Sequence, residues 1–113
     1  MMNLQNIINR VAARNLMDDF AEDVADLSRT SNVSWKVKKA GPAWFVLNGD
    51  AKSDDVEFKV EAELRGSDMA VTVTRSYLFM GEAQKFGPKK FRDVENTGPA
   101  PVAKYIKSVL KSR

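Results

Sequence analysis

The stretch that decides the fold is D-V-E-F-K-V-E-A-E-L-R, at residues 55–65. Every second residue from Val56 to Leu64 is apolar, and every residue beside them is charged. Because a β-strand points successive side chains to opposite faces, this pattern predicts a strand with one buried face and one solvated face. The solvated face carries four acidic and two basic side chains, which makes it a poor surface for binding phosphate.

Three further strands are predicted around this one. Apolar residues alternate at 33–38 and 69–79, and residues 43–48 are apolar on both faces, which predicts a strand covered at least in part on both sides. Glycine-containing turn signals separate the strands and favour an antiparallel meander; one of them, Asn48-Gly49, predicts the end of the second strand. Arg75 interrupts the last alternation, which predicts a bulge or the exit of that strand from the core.

A loop and two helices complete the predicted fold. Residues 81–99 contain three glycines and two prolines and predict a long irregular loop. Residues 3–28 repeat apolar side chains every four positions, and the segment from Pro101 onward has one apolar and one basic side. We therefore predict a single α+β domain over residues 1–113. It comprises a four-stranded antiparallel sheet, a long N-terminal helix on one face, and a C-terminal helix over the other face or an edge.

The composition excludes several classes of function. The chain contains no Cys and no His, so it lacks a thiolate nucleophile, an imidazole base and the usual zinc ligands. We therefore predict a non-enzymatic protein with no catalytic residues, no metal site and no cofactor. No apolar run approaches the ~18 residues that a membrane span needs, and the N-terminus does not resemble a secretory signal. These features predict a soluble cytoplasmic protein that does not bind membranes.

The charge is unevenly distributed along the chain. Residues 1–28 carry five acidic and two basic side chains, whereas residues 89–113 carry seven basic and two acidic ones. Such asymmetry indicates either an interaction surface or attraction between the two ends of the chain.

Aromatic residues on the second strand and in the 81–98 loop predict a protein-binding site. Trp44 and Phe45 are adjacent and must face opposite sides of the sheet, so one of them covers the second face or forms an exposed patch. On this hypothesis the protein is a small adaptor, inhibitor or assembly factor, and its size and composition are typical of a phage or mobile-element accessory protein. One form of this protein-binding hypothesis is a homodimer that associates through the second strand. The predicted partner-binding residues are Trp44, Phe45, Phe86, Lys89, Lys90, Phe91 and Arg92.

The alternative hypothesis is a nucleic-acid-binding protein. Residues 85–92 interleave basic residues with two phenylalanines, and stacking on aromatic rings beside cations is how single strands are bound. The simpler interpretation is that the phenylalanines attach a long loop to the core while the lysines are solvated. We rank this alternative second, because the solvated face of the strand at 55–65 is mainly acidic and would repel phosphate. Its predicted cations are Lys85, Lys89, Lys90, Arg92, Lys104, Lys107 and Lys111.

Overall fold

The computed structural model describes residues 17–51, 56–77, 81 and 83–111. Residues 17–28 are helical and are called α1. The elements that follow are β1 (Val33–Ala40), β2 (Trp44–Ala51), β3 (Val56–Arg65), β4 (Asp68–Tyr77), β5 (Ala83–Phe91), α2 (Val94–Thr97) and α3 (Ala100–Lys111). The predicted α+β class, an antiparallel sheet with helices before and after it, is confirmed. Residues 3–16 of the predicted first helix lie outside the described residues.

The sheet has five strands rather than the four predicted. The strand order is β1-β2-β3-β4-β5, which is the predicted meander with one strand added at its end. The added strand is β5, which occupies half of the predicted irregular loop. Val71 pairs with Lys89 and Val73 pairs with Phe86, so two residues of β5 lie opposite the single residue between them on β4. This bulge accommodates the Gly-Pro pair that predicted a loop.

Gly87 allows β5 to remain close to β4 through the bulge. Its φ of 102° lies in the left-handed region that favours glycine. A Cβ at this position would also lie 2.6 Å from the carbonyl oxygen of Val71 on β4. Gly87 contributed to the prediction of a loop, and the same residue permits the strand β5.

The second strand also extends further than predicted. Asn48 and Gly49 were predicted to form a turn, yet both lie within β2, where they pair with Lys36 and Trp35 of β1. Asn-Gly favours a turn because both residues tolerate positive φ, whereas here Gly49 is paired within the sheet and the ring of Trp35 packs over it. Tertiary packing thus overrides the local preference for a turn.

Both long helices contact the same face of the sheet. The ring centroid of Phe20 on α1 lies 6.1 Å from that of Phe45 on β2. The ring centroid of Tyr105 on α3 lies 5.8 Å from that of Phe91 on β5. Strand register places Phe45 and Phe91 on one face of the sheet. The C-terminal helix was predicted to cover either the opposite face or an edge, and the first of these positions is wrong. Instead α3 lies over β4 and the edge strand β5.

The hydrophobic core lies between this helical face and the helices. The pattern at 55–65 is confirmed, because Phe58, Val60 and Ala62 are buried while the charged residues between them are exposed. Trp35 is buried as well, and its Nε1–H donates to the carbonyl of Ser28 at 3.2 Å. This bond joins the end of α1 to β1.

Arg75 points into the helical face, so the predicted bulge or strand exit at this position is wrong. Its exposed fraction is 8%, and β4 remains paired to its end, where Tyr77 lies opposite Val56. The guanidinium donates to Oε1 of Gln84. It also lies 5.7 Å from the ring centroid of Tyr77 and 5.5 Å from that of Phe86. A planar cation next to aromatic rings and an acceptor keeps favourable interactions in a buried position.

Candidate interaction surface on the open sheet face

The sheet face opposite α1 and α3 carries none of the described helices and is called the open face. Its side chains alternate with those of the core along each strand. On β2, Trp44 points to the open face and is 41% exposed, whereas Phe45 points to the helices and is fully buried. Trp44 is therefore available to a partner, and Phe45 is not.

A shallow groove of about 520 Å³ crosses the open face between β2 and β5. Register explains its position: Trp44 lies opposite Glu63, which lies opposite Ala70, and the small Ala70 side chain leaves space beside the larger groups. The groove combines an uncharged part (Trp44, Val46, Ala70, Thr72 and Pro88) with a charged part (Glu61, Glu63, Arg65 and Lys85). Apolar residues bordered by charged ones are typical of protein–protein interfaces.

The turn between β1 and β2 holds the indole of Trp44 in place. The N–H of Gly41 donates to the carbonyl of Trp44 at 2.8 Å, which closes the turn. Any side chain at Gly41 would overlap the indole ring, so the ring rests directly on the turn backbone. An anchor that is ordered before binding loses little conformational entropy when a partner covers it.

The acidic residues on and beside the groove have basic neighbours. The ion pairs are Lys59–Glu61 at 3.6 Å, Glu63–Arg65 at 3.2 Å and Asp68–Lys90 at 3.3 Å. Exposed pairs of this kind add little to stability, but they leave a surface of mixed charge. Such a surface favours a protein partner over a polyanion.

Asp68 ties one end of the sheet to the chain that follows β5. Its carboxylate accepts a hydrogen bond from the backbone N–H of Asp93 at 3.2 Å, which is the main cause that lowers its pKa below the usual 3.8. Lys90 lowers the pKa further. The N–H of Val94 donates to the carbonyl of Ser67 at 3.0 Å, so the β3–β4 turn is fixed to α2.

The predicted partner-binding residues do not form one site. Trp44 and Lys90 lie on the open face, where register places both in line with Glu63. Phe45, Phe86 and Phe91 belong to the core side of the sheet; Phe45 is fully buried and the other two are partly buried against the core. The two phenylalanines of the predicted loop therefore hold β5 to the core.

The remaining two predicted residues, Lys89 and Arg92, lie away from the open face. Lys89 pairs with Val71 and faces α3, where its Nζ lies 5.1 Å from the ring centroid of Tyr105 and 5.7 Å from that of Phe91. Arg92 is exposed immediately after the end of β5. Residues 89–92 thus distribute their side chains over both sides of the sheet.

The cations predicted for nucleic acid are distributed over several surfaces. They lie on the open face (Lys85, Lys90), on the helical face (Lys89), after β5 (Arg92) and on the exposed side of α3 (Lys104, Lys107, Lys111). The phenylalanines predicted to stack on bases are partly buried against the core. Lys89 does meet α3 at Tyr105, but the predicted cations as a set do not share one surface.

Sequence reasoning missed most residues of the groove, among them Val46, Arg65 and Pro88. The signal for Val46 was present, since it lies two positions from Trp44 and must share its face. The position of Pro88 could not be predicted, because it depends on the existence of β5.

No known protein family, curated protein or solved structure matches this chain. Within the described part of the chain, no helix is both long enough and apolar enough to cross a membrane. Function is therefore inferred from the geometry of the described residues.

Proposed function

We propose that this chain is a non-enzymatic protein-interaction module that binds another protein through the open face, with Trp44 as the anchor. The observation that carries the proposal is the 41% exposure of an indole that rests on the turn at Gly41. Tryptophan is enriched at the residues that dominate binding energy. The groove beside it supplies the uncharged surface and charged border that such an anchor needs.

The pKa shifts of Tyr105 and Asp68 do not prepare either group for acid–base chemistry near neutral pH. Burial raises the pKa of Tyr105 above its usual 10.0, and the N–H of Asp93 lowers that of Asp68 below 3.8. Both shifts move the group away from neutral pH, whereas general acids and bases work best when their pKa lies near the working pH. The absence of Cys and His removes the side chains most often used for such chemistry.

A second copy of the chain is the first partner to test. Sedimentation velocity would be compared for the wild type, Trp44→Ala and Leu27→Ala. Leu27 is the matched control, because it is 44% exposed but lies on α1, on the other side of the sheet. A dimer that Trp44→Ala dissociates and Leu27→Ala retains supports self-association through the open face. A dimer that survives Trp44→Ala would place the contact elsewhere.

If the chain is monomeric, a different protein is the expected partner. Candidates retained from the native host by the wild type would be purified, and their dissociation constants measured against all three chains. Loss of a hot-spot tryptophan costs at least about 2 kcal/mol, which weakens binding roughly 30-fold. We expect that loss for Trp44→Ala and wild-type affinity for Leu27→Ala. Equal affinity for the wild type and Trp44→Ala would contradict the proposal.

Nucleic-acid binding is the second candidate, favoured by three lysines on the exposed side of α3. Lys104, Lys107 and Lys111 are spaced so that they share one side of the helix. Anisotropy of labelled single-stranded and double-stranded DNA and RNA at two salt concentrations tests it. Binding that weakens steeply with salt and is lost in a Lys104→Glu, Lys107→Glu, Lys111→Glu variant would support nucleic acid as the partner. The protein-binding proposal predicts no such binding.

A further inference from the structure

A second cavity lies on the helical side of the sheet, away from the open face. Its volume is about 600 Å³. It lies at one end of the sheet, where Val33 pairs with Ala51 and Val56 pairs with Tyr77. Leu110, in the last turn of α3, borders it from the helical side. The cavity therefore lies between the end of α3 and one end of the sheet.

The walls of this cavity combine apolar and polar residues, and its charged lining residues are basic. The apolar part includes Val33, Ala51, Val56, Phe58 and Leu110. The charged part consists of Arg75, Lys107 and Lys111, and no acidic residue is found among the described residues that line the cavity. Lys107 and Lys111 are exposed and four residues apart, so they are neighbours on α3.

Among the described residues at the cavity, the balance of charge remains positive when the ends of the helices are included. The C-terminal ends of α1 and α3 both lie near it, as Thr30 and Leu110 of the lining show, and each end contributes about half a negative charge. Lys107 and Lys111 contribute two full positive charges. Arg75 is not needed for this balance, because it already donates to Gln84.

We propose that this cavity binds an amphiphilic anion. The apolar chain of the ligand lies against the apolar wall, and its carboxylate or phosphate is bound by Lys107 and Lys111. The volume falls within the ~300–1,000 Å³ that is typical of small-molecule sites. The site lies on the opposite side of the sheet from Trp44, so it is independent of the protein-binding proposal.

Four twelve-carbon amphiphiles that differ in their head group test the proposal on the wild-type chain. Dodecanoate, dodecyl phosphate, dodecanol and dodecylamine would be titrated below their micellar concentrations by isothermal titration calorimetry. At least one of the two anions should bind more tightly than the alcohol, and the amine should bind most weakly. The tighter anion identifies the head group. Absence of binding by both anions, or equal binding of the amine, would overturn the proposal.

Charge reversal on α3 locates the head group. Lys107→Glu combined with Lys111→Glu should weaken binding of the preferred anion by roughly tenfold, equivalent to about 1.4 kcal/mol. The single variant Lys107→Glu, which should also weaken binding, is compared with Lys104→Glu, which reverses one charge on the same helix at a residue outside the cavity lining. An equal loss for Lys104→Glu would show a general charge effect and would contradict a specific site.

Amide chemical shifts locate the apolar chain. On addition of the preferred anion, the amides of Ala51 and Tyr77 at the cavity should shift, whereas that of Val46 on the open face should not. Shifts confined to the open face would overturn the assignment of the site even if the anion binds.

Discussion

The ring of Trp35 lies over Gly49, its direct partner on the neighbouring strand β2. A Cβ added to Gly49 would lie 2.6 Å from Cζ3 of the indole and 2.8 Å from Cε3 and Cη2. The same indole donates to the carbonyl of Ser28 and lies 6.2 Å, between centroids, from the ring of Phe58 on β3. The missing side chain at Gly49 thus lets one tryptophan connect α1 with three strands.

Gly49→Ala should therefore destabilise the fold although it adds only one methyl group. The methyl would force the indole of Trp35 out of its position, and overpacking of this kind costs about 1–3 kcal/mol. The free energy of unfolding from urea denaturation measures the effect. Asn48→Ala, at the exposed neighbouring position, should change it by less than about 0.5 kcal/mol. If Gly49→Ala were as stable as the wild type, the indole of Trp35 would be shown to move aside without a cost in free energy.

The two tryptophans should differ in their contribution to stability. Trp35 is 6% exposed, so Trp35→Ala should cost about 3–5 kcal/mol. Trp44→Ala should cost about 1–2 kcal/mol, because two fifths of its surface is already in contact with water. Chemical denaturation of the two variants checks the order. A larger loss for Trp44→Ala would mean that this residue serves mainly the fold and would weaken its assignment as a binding anchor.

Arg75 should be more important for stability than its charge would imply. Arg75→Ala should cost about 2–3 kcal/mol, because the guanidinium bonds to Gln84 and packs on two aromatic rings. Arg75→Lys should recover less than half of that loss, because an ammonium lacks the planar fork. A double-mutant cycle with Gln84→Ala should give a coupling energy of about 1 kcal/mol. Full stability of Arg75→Lys would rule out this explanation.

Asp68 should make stability depend on pH in the acidic range. Its folded-state pKa is lowered by the N–H of Asp93, so its contribution is present above the unfolded pKa and is lost as pH falls through the folded one. Asp68→Asn should therefore be less stable than the wild type at pH 7, and the difference should shrink below pH 3.8. Urea denaturation across this range measures it.

Salt separates the two causes of the Asp68 effect. High ionic strength screens the exposed pair with Lys90, whereas the bond from the Asp93 N–H persists. Most of the pH-dependent difference should therefore remain in high salt. If this difference disappeared in high salt, Lys90 rather than the backbone N–H of Asp93 would be the main cause of the lowered pKa of Asp68.

The fold class was predictable because it depends on patterns within single segments. Strict alternation at 55–65 determines which side chains of β3 are buried, whatever the rest of the chain does. Turn residues such as Gly66 between β3 and β4 determine the antiparallel order. The adjacency of Trp44 and Phe45 likewise required them to face opposite sides.

The missed features depend on neighbours that are distant in sequence. The strand β5 forms because β4 supplies pairing partners on both sides of the bulge at Gly87 and Pro88. Arg75 points inward because that same strand brings Gln84 and Phe86 next to it. At both positions the local sequence predicted an interruption of the strand. Contacts with residues that are distant in sequence compensate the free energy that the bulge and the buried charge cost.

The sequence by itself thus determined the α+β class, the meander and the two-sided character of β3, because alternation and turn chemistry act within a few residues. Only the tertiary structure decided that α1 and α3 share one face of the sheet and that Trp44 remains exposed on the other. The physical reason is that an apolar helix side indicates burial but not the surface it is buried against. That choice is made by packing across the whole sheet.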